Sequence, residues 1–394
     1  MKIETIYYLF VALMTFGLGA TVTAYVPFLQ SLGLSLGEVG LVNAVFWIVF
    51  AGMEIPTGMK ADGKSRTWSI KWGIALQAIG SLLYLSAVGF WSAMLGEAIL
   101  AFGMAFVSGA HQAWVVDALK TDGRANDVRR AFGTTAIIRG ACMLVGGSGG
   151  ALLAVISPRS IWIPHFVMMI PSFIIVCRYM DGKGEPAKRV TEREALKKSL
   201  DLLRSSRALK WALVAFIVSG MMLPFNHYWA PYFIALAGKT SLTWIWPIMY
   251  LSLMPGGWLV RRYVIGAHEE ATALCLSLVA IGFGMGLIPL FGGIFFPILA
   301  VMLHEIGRGA LEPLMDSFVH HRVDSDHRAT YASLQGFIGK AGFALTPLLV
   351  WFGIHNAPDT IETMANVWLV VGFLMTTFAI LLWLVRPNGH ESGS

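Results

Sequence analysis

The chain repeats one feature twelve times: an apolar run of about 20 residues, the length a helix needs to cross the hydrocarbon of a bilayer. The runs cover residues 5–30, 37–59, 67–89, 91–119, 131–156, 160–180, 209–236, 242–263, 270–290, 293–320, 329–353 and 362–385. In lipid, backbone N–H and C=O groups must be satisfied within the segment itself, which leaves a helix for each run. Hydrophobic residues make up 56% of the chain and charged ones 13%, with a mean hydropathy of +0.66. A water-soluble domain has no interior large enough to hide that much apolar surface. The expected fold class is an all-α membrane protein with twelve transmembrane helices.

The formal charge of +6 fits no nucleic-acid partner once its distribution is read. Threading the runs back and forth leaves Arg159 and Lys239 on one side and Arg139, Arg308 and Lys340 inside spans. All other Lys and Arg fall on the second side. Cationic loops stay in the cytoplasm. The expected setting is the inner (cytoplasmic) membrane, with both termini cytoplasmic and anionic lipid as a partner. The N-terminal MKIETIYYLF has no small-residue cleavage site and reads as a retained first span. Cys142, Cys177 and Cys275 lie within spans at spacings that suggest neither a metal site nor a disulfide framework.

One polar stretch, 181–208, interrupts the pattern and divides the chain into residues 1–180 and 209–394. Within it Thr191 can cap a helix with Glu194 three residues on. Leu196, Leu200 and Leu203 then give that helix an apolar stripe that can lie on the membrane surface. The halves echo each other. Asp117 ends the fourth run and Arg130-Ala131 opens the fifth; Asp316 ends the tenth and Arg328-Ala329 opens the eleventh. An internal duplication of six-span units is expected.

Between the second and third runs lies GMKADGKSR, Gly58 to Arg66, read as a charged turn. Its spacing of Gly58, Asp62 and Arg66 resembles the G-x-x-x-D-x-x-x-R loop of the major facilitator superfamily. The resemblance implies two pseudo-symmetric six-helix bundles around a central cavity, and secondary transport by alternating access as a monomer. It also implies a conformational latch. Asp62 would meet the N-terminus of the eleventh helix, and Arg66 would pair with the acidic residue ending the fourth, here Asp117. The second-half counterpart around Gly257, Arg261 and Arg262 with Asp316 is degenerate.

Other polar residues fall inside spans, where they are costly unless paired or wet. Glu97 stands where many exporters of the family carry an arginine. Glu97, Ala101, Met104, Ser108 and His111 share one helical face, which is expected to line the cavity. In the tenth run Glu305, Gly309, Glu312 and Asp316 form a stripe, with Arg308 one turn from two of them and His304 beside it. Proton coupling is expected there, with Glu305 the deepest member, Arg308 and Glu312 its neighbours, and Glu97 a second carrier. Glu54, beside Pro56, is expected to meet Arg139 or Lys340.

In the seventh run Pro224 and Pro231 bracket Asn226, His227, Tyr228 and Trp229, so an interrupted helix is expected. First and seventh helices line the cavity in this family. The expected substrate site therefore joins these four to Tyr25, Glu97, His111, Arg139 and His304. The glycines of RGACMLVGGSGG in the fifth run suit close helix packing.

No phosphate-binding Gly-rich loop is present, so an ion gradient must drive the cycle, with no cofactor and no enzymatic step. The expected function is proton-coupled export of a small amphipathic or cationic organic compound. Two alternatives remain open. One is uptake of an anionic metabolite countered by Arg139, Arg308 and Lys340. The other is translocation of a lipid or lysolipid.

Overall fold

The computed structural model describes residues 1–184, 200–264, 267–323 and 328–387. Every predicted run is helical within them, and no strand occurs among them. The first span is two helices, Ile3–Val22 and Tyr25–Ser31. The second to fifth are single helices, Leu36–Gly63, Arg66–Ser86, Phe90–Thr121 and Val128–Ile156. The sixth runs over Trp162–Ile175 and ends in a wider π turn at Met180. The seventh and eighth are split, Arg207–Ser219 with Leu223–Ala237, and Leu242–Leu251 with Leu253–Tyr263. Ala267–Leu287, Phe295–His320, Arg328–Ile354 and Ile361–Leu384 complete the set.

Nine of these segments are long and apolar enough to cross a membrane. The other three are the third, eighth and tenth spans, and each has a reason. The third carries Lys71, Gln77 and several serines, the eighth breaks at Ser252, and the tenth holds Glu305, Arg308, Glu312 and Asp316.

Two of the sequence expectations on helix boundaries are corrected. Residues 58–63 are not a turn but the last turns of the second helix, which ends when Lys64 N–H reaches the Lys60 carbonyl at 2.9 Å. The connection is only Lys64-Ser65, and Ser65 caps the third helix through Trp68 N–H. In the seventh span the break falls at Gly220–Met222, ahead of PFNHYWAP. Pro224 then sits in the first turn of a new helix, where its missing N–H costs nothing, and that helix runs on through Pro231.

The chain forms two compact units. One holds Met1–Val190 and Lys239–Trp246; the other holds Thr191–Gly238 and Pro247–Ser394. The Trp246 indole N–H donates to the Leu144 carbonyl within the first unit. Most of the expected amphipathic helix after Thr191 lies outside the described residues.

Inside the units the same helix pairs recur. The first packs on the fifth, the third on the fourth and sixth, and the second on the fourth. Correspondingly the seventh packs on the eleventh, the ninth on the tenth and twelfth, and the eighth on the tenth. Small residues set these approaches in both units. Gly146 and Gly150 lie against the backbone of Phe16 and Ala20, and Gly342 against the backbone of Ile217. The repeated pairing is the structural form of the weak sequence echo between the halves.

Candidate transport site

One end of the first unit is bound by ion pairs. Arg66, first residue of the third helix, meets Asp117 in the last turn of the fourth at 2.5 Å, as expected from the motif. The Asp62 side chain lies outside what is described, and a Cβ on Gly58 would meet nothing. Two further ties were not foreseen. Asp181, just beyond the sixth helix, accepts from Thr67 at 2.9 Å and Lys71 at 2.5 Å. The Lys71 ammonium holds the Asp181 carboxyl below its ordinary value, with Thr67 adding to it. Arg124, after the fourth helix, binds Glu4 at the start of the first and Asp127. At the opposite end Arg159 donates to the carbonyls of Leu85 and Ala87 at 2.9 and 2.8 Å, closing the C-terminus of the third helix.

Glu97 does not line an open cavity. It is 4% exposed, covered by the third helix, and accepts a hydrogen bond from the Tyr84 hydroxyl. Tyr25 lies 3.5 Å from that hydroxyl, oxygen to oxygen. Tyr84 is held flat on Trp162, with ring centroids 4.1 Å apart. The helical wheel placed Glu97 on the polar face correctly; it could not show that Tyr84, thirteen residues earlier, closes over it. Among the described residues no cation lies within ion-pair distance of Glu97.

About four turns further along the fourth helix, His111 meets Arg139 of the fifth. His111 Nδ1 is 2.9 Å from the Val107 carbonyl, an atom that can only accept, so Nδ1 carries the proton. Nε2 is then the acceptor for the Arg139 guanidinium at 3.3 Å. The Tyr7 ring stacks on the imidazole, and its buried hydroxyl has no hydrogen-bond partner.

The second unit centres on Arg308. Its guanidinium lies 3.0 Å from Glu305 and donates to Asn226 Oδ1 at 2.9 Å. Glu305 is fully buried, whereas Arg308 is 24% exposed. Of the expected group in the seventh span only Asn226 reaches this cluster. His227, Tyr228 and Trp229 are buried, in a helix that is covered on every face from His227 to Phe233. His304 is also core: Nδ1 bonds the Ile281 carbonyl and the ring faces Phe225. Arg308 does not pair with Glu312. Instead Arg308, Glu312 and Asp316 border a cavity of about 510 Å³ whose apolar walls include Phe216, Met222 and Met315. Cavities of this size hold drug-sized molecules.

In the degenerate second-half counterpart both Arg261 and Arg262 are exposed. A different network occupies the matching helix ends. Glu270, near the start of the ninth helix, accepts from Ser317, His321 and Arg322 at 2.5, 2.8 and 2.9 Å. Arg322 also lies 3.7 Å over the Phe318 ring.

A sequence profile described as Major Facilitator Superfamily matches residues 7–347, and the chain belongs to that superfamily. Comparison with curated proteins gives no match. Among solved structures the chain is similar to the nucleoside transporter NupG, with 14% identity, a TM-score of 0.81, and 98% of this chain and 99% of that one covered. It is similar to a POT family transporter in complex with a thioalcohol-conjugated peptide, at 12% identity, TM-score 0.72 and coverage of 97% and 95%. It is also similar to a bacterial homolog of the human lysosomal transporter Spinster, at 12% identity, TM-score 0.69 and coverage of 97% and 94%. At such identities the likeness is one of fold. Superfamily, fold and apolar helices make this chain a multi-pass membrane transporter and not an enzyme.

Proposed function

We propose that the protein is a proton-coupled secondary transporter that exports a small amphipathic or cationic organic compound by alternating access. The observation that carries this reading is the cavity of the second unit. Its walls are largely apolar, and the carboxylate residue Glu312 borders it while Arg308 is already engaged by Glu305. Such a lining suits an apolar body with a positive group. Coupling is assigned to Glu305 and Glu97. Each is a membrane-embedded carboxyl enclosed by protein, and a proton taken up there cancels a charge that is expensive to bury. Arg66 and Asp117 form the latch, at the cytoplasmic face of the inner membrane, and must part when access changes.

The test is transport in proteoliposomes of the purified monomer under an imposed pH gradient. Glu305→Gln fixes the uncharged form. It should abolish gradient-driven efflux of a transported dye while leaving dye exchange at equal pH. Undiminished pumping with Gln at 305 would remove Glu305 from the coupling step.

A further inference from the structure

Among the described residues Arg139 is the cation deepest inside a span of the first unit, and the proposed function leaves it without a task. It stands about 16 Å along the fifth helix from the start at Val128, at 1.5 Å per residue. That is near the middle of a bilayer about 30 Å thick. It is exposed, and among the described residues no carboxylate lies within ion-pair distance of it, so Glu54 is not its partner. A bare guanidinium at that depth does not face lipid.

The exposed apolar stripe of the same helix shows where lipid is. Ile137 is 75% exposed, Val145 59%, Leu152 62% and Ile156 84%. At 3.6 residues per turn Arg139 points roughly 140° away from that stripe. It therefore faces away from lipid. Its one side-chain partner is the uncharged imidazole of His111, which engages a single nitrogen and leaves the rest of the donor fork open. His111 is itself fixed by Val107 and by the stacked Tyr7. Tyr7 adds a second unmatched donor, the buried hydroxyl of the ring that stacks on His111.

We propose that Arg139, held by His111, is a receptor for an oxyanionic group, a carboxylate or a phosphoryl oxygen pair, on the transported solute. A planar fork with open donors takes such a group through two parallel hydrogen bonds. The substrate class becomes an organic solute that bears an acidic group. This inference rests on the transporter reading above and narrows it.

The test compares four probes on purified protein in detergent by ligand-induced change in melting temperature. Phenylacetate and phenylphosphonate carry the two acids, phenylacetamide is the neutral control, and phenethylamine reports the cation cavity. Phenylacetate or phenylphosphonate should bind the parent while phenylacetamide does not, and the tighter acid identifies carboxylate or phosphoryl chemistry. Arg139→Gln should weaken acid binding about tenfold or more, with phenethylamine binding unchanged. Arg139→Lys keeps the charge without the fork and should fall between, which holds if the Gln variant does not fold. As His111 is a positioning residue, His111→Phe should weaken acid binding several-fold and spare phenethylamine. Acid binding that is absent from the parent, or equal in the parent, Arg139→Gln and Arg139→Lys, would overturn the proposal. Phenethylamine binding that ignores Glu312→Gln would count instead against the cavity, leaving the Arg139 assignment standing.

Discussion

The Glu305–Arg308 pair makes an asymmetric prediction. Glu305 is fully buried, and neither carboxylate oxygen has a hydrogen-bond donor of good geometry. Arg308 is 24% exposed on the cavity and keeps Asn226 when Glu305 is changed. Arg308→Gln therefore strands a buried carboxylate, which costs about 3–5 kcal/mol. Glu305→Gln strands only a partly wet guanidinium with a second partner and should cost about 1–2 kcal/mol. The double variant Glu305→Gln/Arg308→Gln has no charge to strand and should lie near Glu305→Gln alone. At about 2–4 °C per kcal/mol, Arg308→Gln should melt about 6–20 °C below the parent. Measured at pH 8 in one detergent, the four proteins form a double-mutant cycle with a coupling of about 2 kcal/mol or more. Equal losses for the two single variants, or additive losses in the double one, would refute the argument from unequal burial.

Three further outcomes follow from single contacts. Gly150→Ala places a methyl group against the Ala20 backbone and should destabilise by about 1–3 kcal/mol, whereas Gly149→Ala meets nothing and should be near neutral in the same melting assay. Because the Asp181 carboxyl is held below its ordinary value by Lys71, its contribution is present above about pH 4 and fades as the pH falls through the lowered value. The gap between parent and Lys71→Gln should be under about 1 kcal/mol at neutral pH, given the exposure of both side chains, and should vanish once the pH is below that lowered value. Arg159→Ala leaves the last carbonyls of the third helix without their donor. It should lower stability by about 1–2 kcal/mol, with faster amide exchange over residues 82–87 as the local readout.

Element existence was legible because a membrane leaves helices as the solution, and because apolar length is a one-dimensional signal. The Arg66–Asp117 pair was legible only as an implication of the family resemblance carried by Gly58, Asp62 and Arg66. What stayed hidden are contacts between residues distant in sequence. Nothing local links Arg124 to Glu4, Lys71 to Asp181, or Arg322 to Glu270, and a charged residue at a helix end looks the same paired or solvated. Glu97 shows the limit of a helical wheel: it gives the face but not the neighbour, and here the neighbour is Tyr84. Proline misled in the seventh span, since a proline in a first turn starts a helix as readily as one inside breaks it.

The two units tie equivalent helix ends with opposite polarity, and this separates a switch from a fixture. In the second unit the acid, Glu270, stands in the first turn of the ninth helix, and the base, Arg322, lies just past the tenth. Both charges suit the helix dipoles beside them. In the first unit the base, Arg66, opens the third helix and the acid, Asp117, stands in the last turn of the fourth. Each faces the like-signed end of its own helix, so each is disfavoured there by about 0.3–1 kcal/mol. The Glu270 network is also better buried and has three donors, against one for Asp117. Parting Arg66 from Asp117 is therefore the smaller step, as the proposed latch requires. Glu270→Gln should cost about 2–4 kcal/mol in melting stability and leave the distribution of conformations as it was. Asp117→Asn should cost under about 1 kcal/mol and instead shift which side admits a membrane-impermeant thiol reagent to single cysteines placed along the cavity. A large stability loss with unchanged labelling in Asp117→Asn would make that pair a fixture like the other, and the latch would have to be sought elsewhere.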